Sequence, residues 1–185
     1  VTTLSEVYRD YIELKSSILS PSTIRGYLAY MRNSFQELMP LNIYSLNNIT
    51  IQKAVNRYAI NHSPKTVRNA YGLLHSILQV YYPEFEPKIT LPQKIKPQYV
   101  LPTTDTINTL LFFADDRIKF PILLAAQGGL RRSEIAALQL SDFNDFGVNI
   151  NKAVVYNSDL ELVIKTTKTI SGTRFVPLSP SLIKM

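Results

Sequence analysis

Apolar residues recur with a helical period through the first half of the chain. Val7, Tyr11 and Leu14 fall at i, i+4 and i+7, and Ile24, Leu28, Met31 and Phe35 follow the same rule. Ile51, Val55, Tyr58 and Ala59 repeat it, as do Val67, Tyr71, Leu74 and Leu78. The spacing predicts four helices, over 4–16, 21–38, 50–60 and 64–81. Prolines then interrupt the pattern. Pro83, Pro87, Pro92, Pro97 and Pro102 leave no room for a helix, and a central strand would lose its donors. The segment 84–102 is therefore expected to be an extended, stiff linker between a helical domain, 1–83, and a second domain, 103–185.

The second half begins helical and then changes period. Thr103-Thr104-Asp105 can cap a helix carrying Ile107, Leu110, Leu111 and Phe112. A second helix is expected from about Lys119 to Gln127, ended by Gly128-Gly129, and a third from Leu130 or Arg131 to Leu138. Val148, Ile150 and Val154-Val155 then suggest one strand or two. Leu160–Ile164 is a β-rich run, and Phe175-Val176 follows a Ser171-Gly172 turn. Pro177-Leu178-Ser179-Pro180 opens a last helix. The expected fold class is mainly α with a small antiparallel β-sheet.

Two helix starts share a pattern. Ser20-Pro21-Ser22-Thr23-Ile24-Arg25 matches Ser63-Pro64-Lys65-Thr66-Val67-Arg68. Ser at the N-cap and Pro at the first helical position are ordinary start signals. The arginines are not, because a cation near a helix N-terminus opposes the macrodipole. Backbone N–H groups beside a hydroxyl and a guanidinium suit a phosphate; plain surface arginines are the other reading.

Composition narrows the chemistry. The 185 residues contain no Cys, which removes disulfides, thiolate metal sites and cysteine nucleophiles. The two histidines, His62 and His75, lack a carboxylate-rich context, which argues against a histidine-based metal site. No apolar run approaches membrane-spanning length, and Val-Thr-Thr-Leu-Ser-Glu has neither a basic nor an apolar leader region, so a cytoplasmic protein is expected. Residues 1–98 hold eleven basic and six acidic side chains, against nine and eight in 99–185. That imbalance fits a polyanion partner, although solubility alone would also account for it.

The segment Gln127–Asp142 reads Gln-Gly-Gly-Leu-Arg-Arg-Ser-Glu-Ile-Ala-Ala-Leu-Gln-Leu-Ser-Asp. A glycine pair permits a sharp turn, and Arg131 follows at a helix mouth with Glu134 one turn on. Ile135 and Leu138 would anchor the same face in the core. Arg131 is thus expected to be partly buried and oriented by Glu134, as recognition of a phosphate requires; a structural ion pair is the plainer alternative.

This stretch resembles the first catalytic box of the tyrosine recombinases, the phage and transposon integrases. Gly129, Leu130, Arg131, Ser133, Glu134, Leu138 and Asp142 match that box at its spacings, while Gly128 stands where Thr or Ser is usual. Lys168-Thr169 through Arg174-Phe175-Val176-Pro177-Leu178 resembles the family's β-hairpin segment. The resemblance implies Arg131 and Lys168 as catalytic residues, with Lys165 a weaker candidate for the lysine, and Glu134 and Asp142 as support. It also implies a SAM-like helical core-binding bundle followed by the first part of an α+β catalytic domain. Two of the bundle's helices would approach the DNA major groove. The candidate DNA contacts are Thr23, Arg25, Tyr27, Arg32, Lys65, Thr66, Arg68 and Arg174.

Double-stranded DNA is the implied partner, with self-association on DNA and no metal, cofactor or membrane. The family's His-x-x-Arg and tyrosine nucleophile find no match, since no His or Tyr follows Lys168. The expectation is an amino-terminal fragment of an integrase, inactive alone. Alternatives are a non-enzymatic DNA-binding protein derived from a recombinase and a helical interaction module.

Overall fold

The computed structural model describes residues 2–167 and 172–184. The chain forms two compact units that divide between Gln98 and Tyr99.

The first unit is a helical bundle: α1 (Leu4–Ser16), α2 (Pro21–Asn33), α3 (Asn48–Ala59) and α4 (Pro64–Tyr81), with a 3-10 turn at Ile43–Ser45. Local chemistry sets the boundaries. Thr3 and Glu6 form a reciprocal capping box before α1, and the Asn47 side chain accepts from the Thr50 N–H before α3. Leu4, Val7 and Tyr8 of α1 close against Ile51, Ala54 and Val55 of α3 and Val67, Ala70, Leu74, Ile77 and Leu78 of α4.

The apolar pattern that predicted α2 to residue 38 carries past its true end. Ser34 is extended and Phe35 takes a positive φ of 50°. The reversal drops Phe35, Leu38 and Met39 into the core from a loop rather than from a helix face. Burial of those three side chains outweighs the strain at Phe35.

The proline-rich segment divides in two. Phe85, Ile89 and Leu91 pack on the bundle core. The Lys88 N–H donates to Asn48 Oδ1 at 2.9 Å, the Thr90 N–H to Gln52 Oε1 at 2.8 Å, and the Tyr71 hydroxyl to the Pro87 carbonyl at 3.4 Å. Residues 85–92 therefore form a strap on α3 and α4, whereas 93–102 are without secondary structure and, from Gln93 to Pro102, exposed.

The second unit contains α5 (Thr104–Phe113), α6 (Asp116–Gly128), α7 (Arg132–Ile135), a 3-10 turn (Leu140–Asp142), β1 (Phe143–Asn144), β2 (Gly147–Ile150), β3 (Lys152–Tyr156), β4 (Leu162–Thr166), β5 (Arg174–Pro177) and α8 (Pro180–Ile183). Strands β1, β2 and β5 make one antiparallel sheet, and β3 and β4 form a separate antiparallel pair. Its core is small: Leu124, Leu130, Val148, Ile150, Val176 and Leu182.

Two boundaries depart from expectation here. Helix α6 starts at Asp116, before the expected Lys119, because Asp115 caps it; Pro121 is accommodated inside. The expected helix to Leu138 is only one turn long. Gly129 ends α6 in the left-handed region at φ 63°, where a side chain would be strained, and Leu130 turns inward immediately after it.

Candidate nucleic-acid interface

The Arg131 box is built around a buried carboxylate. Arg131 is the extended N-cap of α7, and Glu134 lies one turn later with only 3 % of its surface exposed. Glu134 Oε2 accepts from the Arg131 backbone N–H at 2.8 Å, and Oε1 accepts from Arg131 Nη1 at 2.7 Å. From the far side, Arg174 of β5 donates Nη2 to Oε2 at 2.9 Å and Nη1 to Oε1 at 3.1 Å. Arg174 Nη1 also meets the Gly172 carbonyl at 3.2 Å.

One carboxylate therefore holds two guanidiniums in a fixed pair. The Arg174 hydrogen bond is the largest influence on Glu134. Burial opposes it, but with the two Arg131 bonds added the Glu134 pKa falls from 4.5 to about 2. The expected burial is reversed: Glu134 is the buried member, and the Arg131 side chain is 71 % exposed against 28 % for Arg174. A mostly exposed guanidinium, fixed at one nitrogen, presents its remaining N–H groups to an incoming anion.

Asp142 performs a similar service in the 3-10 turn, Leu140–Asp142, that comes after α7. It is buried, accepts from the Gln139 N–H at 2.8 Å and pairs with Lys152 Nζ at 2.8 Å; Lys152 also donates to Gln139 Oε1 at 2.9 Å. Burial works against its ionisation, but the Lys152 and Gln139 hydrogen bonds prevail and its pKa is lowered. Lys152 thus ties β3 to the end of the box. Neither the Glu134–Arg174 bond nor the Asp142–Lys152 bond had a sequence signal, because the partners are 40 and 10 positions apart. Lys168 lies outside the described residues. Lys165 is half-buried on β4, opposite Ala153.

The two matched helix starts fold alike only in part. The hydroxyls of Ser20 and Thr23 stand 2.9 Å apart, as do those of Ser63 and Thr66. Thr103 and Thr106 form the same pair at 3.0 Å before α5, where no arginine follows. The hydroxyl pair is thus general helix-start chemistry, and the basic residues are what set α2 and α4 apart. Arg25, Arg32 and Lys65 are exposed; Arg68 is half-buried, with Nε donating to the Pro92 carbonyl at 2.8 Å. Arg32 sits in the last turn of α2, where a cation also suits the dipole. Tyr27 is half-buried against Tyr11, and burial followed by the Tyr11 charge raises its pKa.

No protein-family model and no curated protein matches the chain. Solved structures do. The Tn1549 transposon integrase in complex with transposon right-end DNA superposes with a TM-score of 0.78 at 19 % identity, over 99 % of this chain. The same integrase with circular intermediate DNA gives 0.79 at 20 % identity over 99 %, and a variant with circular intermediate DNA gives 0.80 at 19 % over 100 %. The chain has the fold of that transposon integrase. It spans 63 % of the length of those integrase chains. Within the integrase fold, the described residues include no group of three or more His, Asp or Glu placed to hold a metal ion, and no helix long and apolar enough to cross a membrane.

Proposed function

We propose that the chain binds duplex DNA as the core-binding and first catalytic portion of a tyrosine recombinase. The observation that supports this reading is the Glu134 carboxylate holding Arg131 and Arg174 side by side, with the Arg131 guanidinium largely exposed, on an integrase fold. In the reaction assigned to the parent enzyme, a tyrosine hydroxyl gives up its proton to solvent as its oxygen attacks the scissile phosphate. A 3′-phosphotyrosyl ester forms and the bond to the 5′-oxygen breaks. Arg131 neutralises charge developing on the non-bridging oxygens, and Lys168 gives its proton to the departing 5′-oxygen. The covalent link conserves the energy of the phosphodiester, so rejoining reverses the step. These 185 residues contain no His-x-x-Arg, and no tyrosine after Lys168, so the reading assigns the chain DNA binding without cleavage by itself. Self-association on DNA and a cytoplasmic setting belong to the same proposal.

Salt titration of duplex binding tests it. If α2, α4 and the Arg131 pair together neutralise about six phosphates, log K falls against log salt with a slope of roughly −5. Arg25→Ala and Lys65→Ala each flatten that slope by about one. Absence of duplex binding at low salt, or a flat response, refutes the reading and leaves the helical interaction module.

A further inference from the structure

The strap of residues 85–92 runs back along α4. Pro87 meets Tyr71, and Pro92 meets Arg68, one turn from the α4 start. On its other side, Asn48 and Gln52 of α3 hold it. The Gln52 amide pairs with Thr90 as a neighbouring strand would: Oε1 accepts from the Thr90 N–H at 2.8 Å and Nε2 donates to the Thr90 carbonyl at 3.0 Å. The strap therefore ends where the basic residues of α4 begin. Arg68 is the point of contact. Its Nε is taken by Pro92, and among the described residues no carboxylate or carbonyl takes its Nη groups.

We propose that Arg68 couples the strap to DNA: the Pro92 carbonyl fixes the guanidinium in the pose in which its Nη groups meet a backbone phosphate. The inference rests on the DNA-binding reading and goes beyond it. A free arginine loses rotamer freedom on meeting a phosphate, whereas a strapped one has already lost it. Strap docking and phosphate binding favour the same side-chain conformation, so each strengthens the other by one factor. Immobilising one long side chain sets that factor at about threefold to tenfold.

The experiment measures both directions. Hydrogen exchange of the Lys88 and Thr90 amides, whose protons are given to Asn48 and Gln52, is followed with and without a saturating mixed-sequence duplex oligonucleotide at low salt. Protection rises by about threefold to tenfold when the duplex binds. Gln52→Ala, which touches the strap and no proposed DNA contact, weakens duplex binding by the same factor while the bundle's melting transition is retained. Asn48→Ala serves as a second release of the strap, and the exchange comparison in the unaltered chain needs no variant. If the duplex binds and the strap amides exchange unchanged, the coupling is wrong and the DNA-binding reading stands. If Gln52→Ala frees the strap amides without loss of affinity, the coupling is likewise wrong. If no duplex binds, the DNA-binding reading falls and the coupling with it.

Discussion

Glu134→Gln isolates the electrostatic centre of the Arg131 box. The substitution keeps the shape of the side chain, leaves one carbonyl oxygen to accept, and removes the charge that holds two guanidiniums together. The lowering of the Glu134 pKa from 4.5 to about 2 corresponds to about 3 kcal/mol of folded-state stabilisation. Arg131 is mostly solvated and Arg174 partly, so screening brings the expected loss nearer to about 2 kcal/mol. The sign of the pH dependence follows. A carboxylate whose folded pKa lies below its unfolded value stabilises above the unfolded pKa, near 4.5, and loses that contribution as pH falls toward about 2. The difference between the two proteins is thus full at pH 7 and reduced to roughly half by pH 3. Other carboxylates titrate in both proteins and cancel in the comparison. Urea unfolding followed by circular dichroism, with amide exchange in β2 and β5 to report on the second unit, measures it. A difference that stays constant from pH 7 to pH 3, or one that is absent at pH 7, refutes the assignment of Glu134 as the ionic keystone.

Other perturbations probe separate parts of the molecule. Tyr8 is fully buried and its hydroxyl finds no partner among the described residues, so Tyr8→Phe raises stability by about 1 kcal/mol in thermal unfolding; a loss of stability contradicts this. Lys152→Met leaves the buried Asp142 carboxylate with the Gln139 N–H alone, and lowers stability by about 2 kcal/mol at neutral pH, of which Asp142→Asn in the same protein restores part. A β-carbon at position 147 would run into the Val176 carbonyl and Pro177, so Gly147→Ala separates β2 from β5; exchange protection lost along Val148–Ile150 checks it, at a cost of about 3 kcal/mol.

The helical period, the caps and the glycine bend were all legible locally. Each depends on residues within a turn of one another, which is why α1 and α4 came out at their expected bounds and Gly129 ends α6. The Gly-Leu-Arg-x-Ser-Glu spacing likewise brought Arg131 and Glu134 together in advance. Tertiary structure decided what no local rule contains. Helix α2 stops at Asn33 because Phe35, Leu38 and Met39 gain more from entering the core than from extending a helix. Residues 85–92 lie on the bundle because the side chains of Asn48 and Gln52 satisfy their backbone groups. Arg174 joins Arg131 because β5 pairs with β2 and carries it to Glu134. The sequence determined which residues could form helices and carry charge; the fold determined which charges share a carboxylate, since long-range contacts follow from burying the whole set of apolar faces at once.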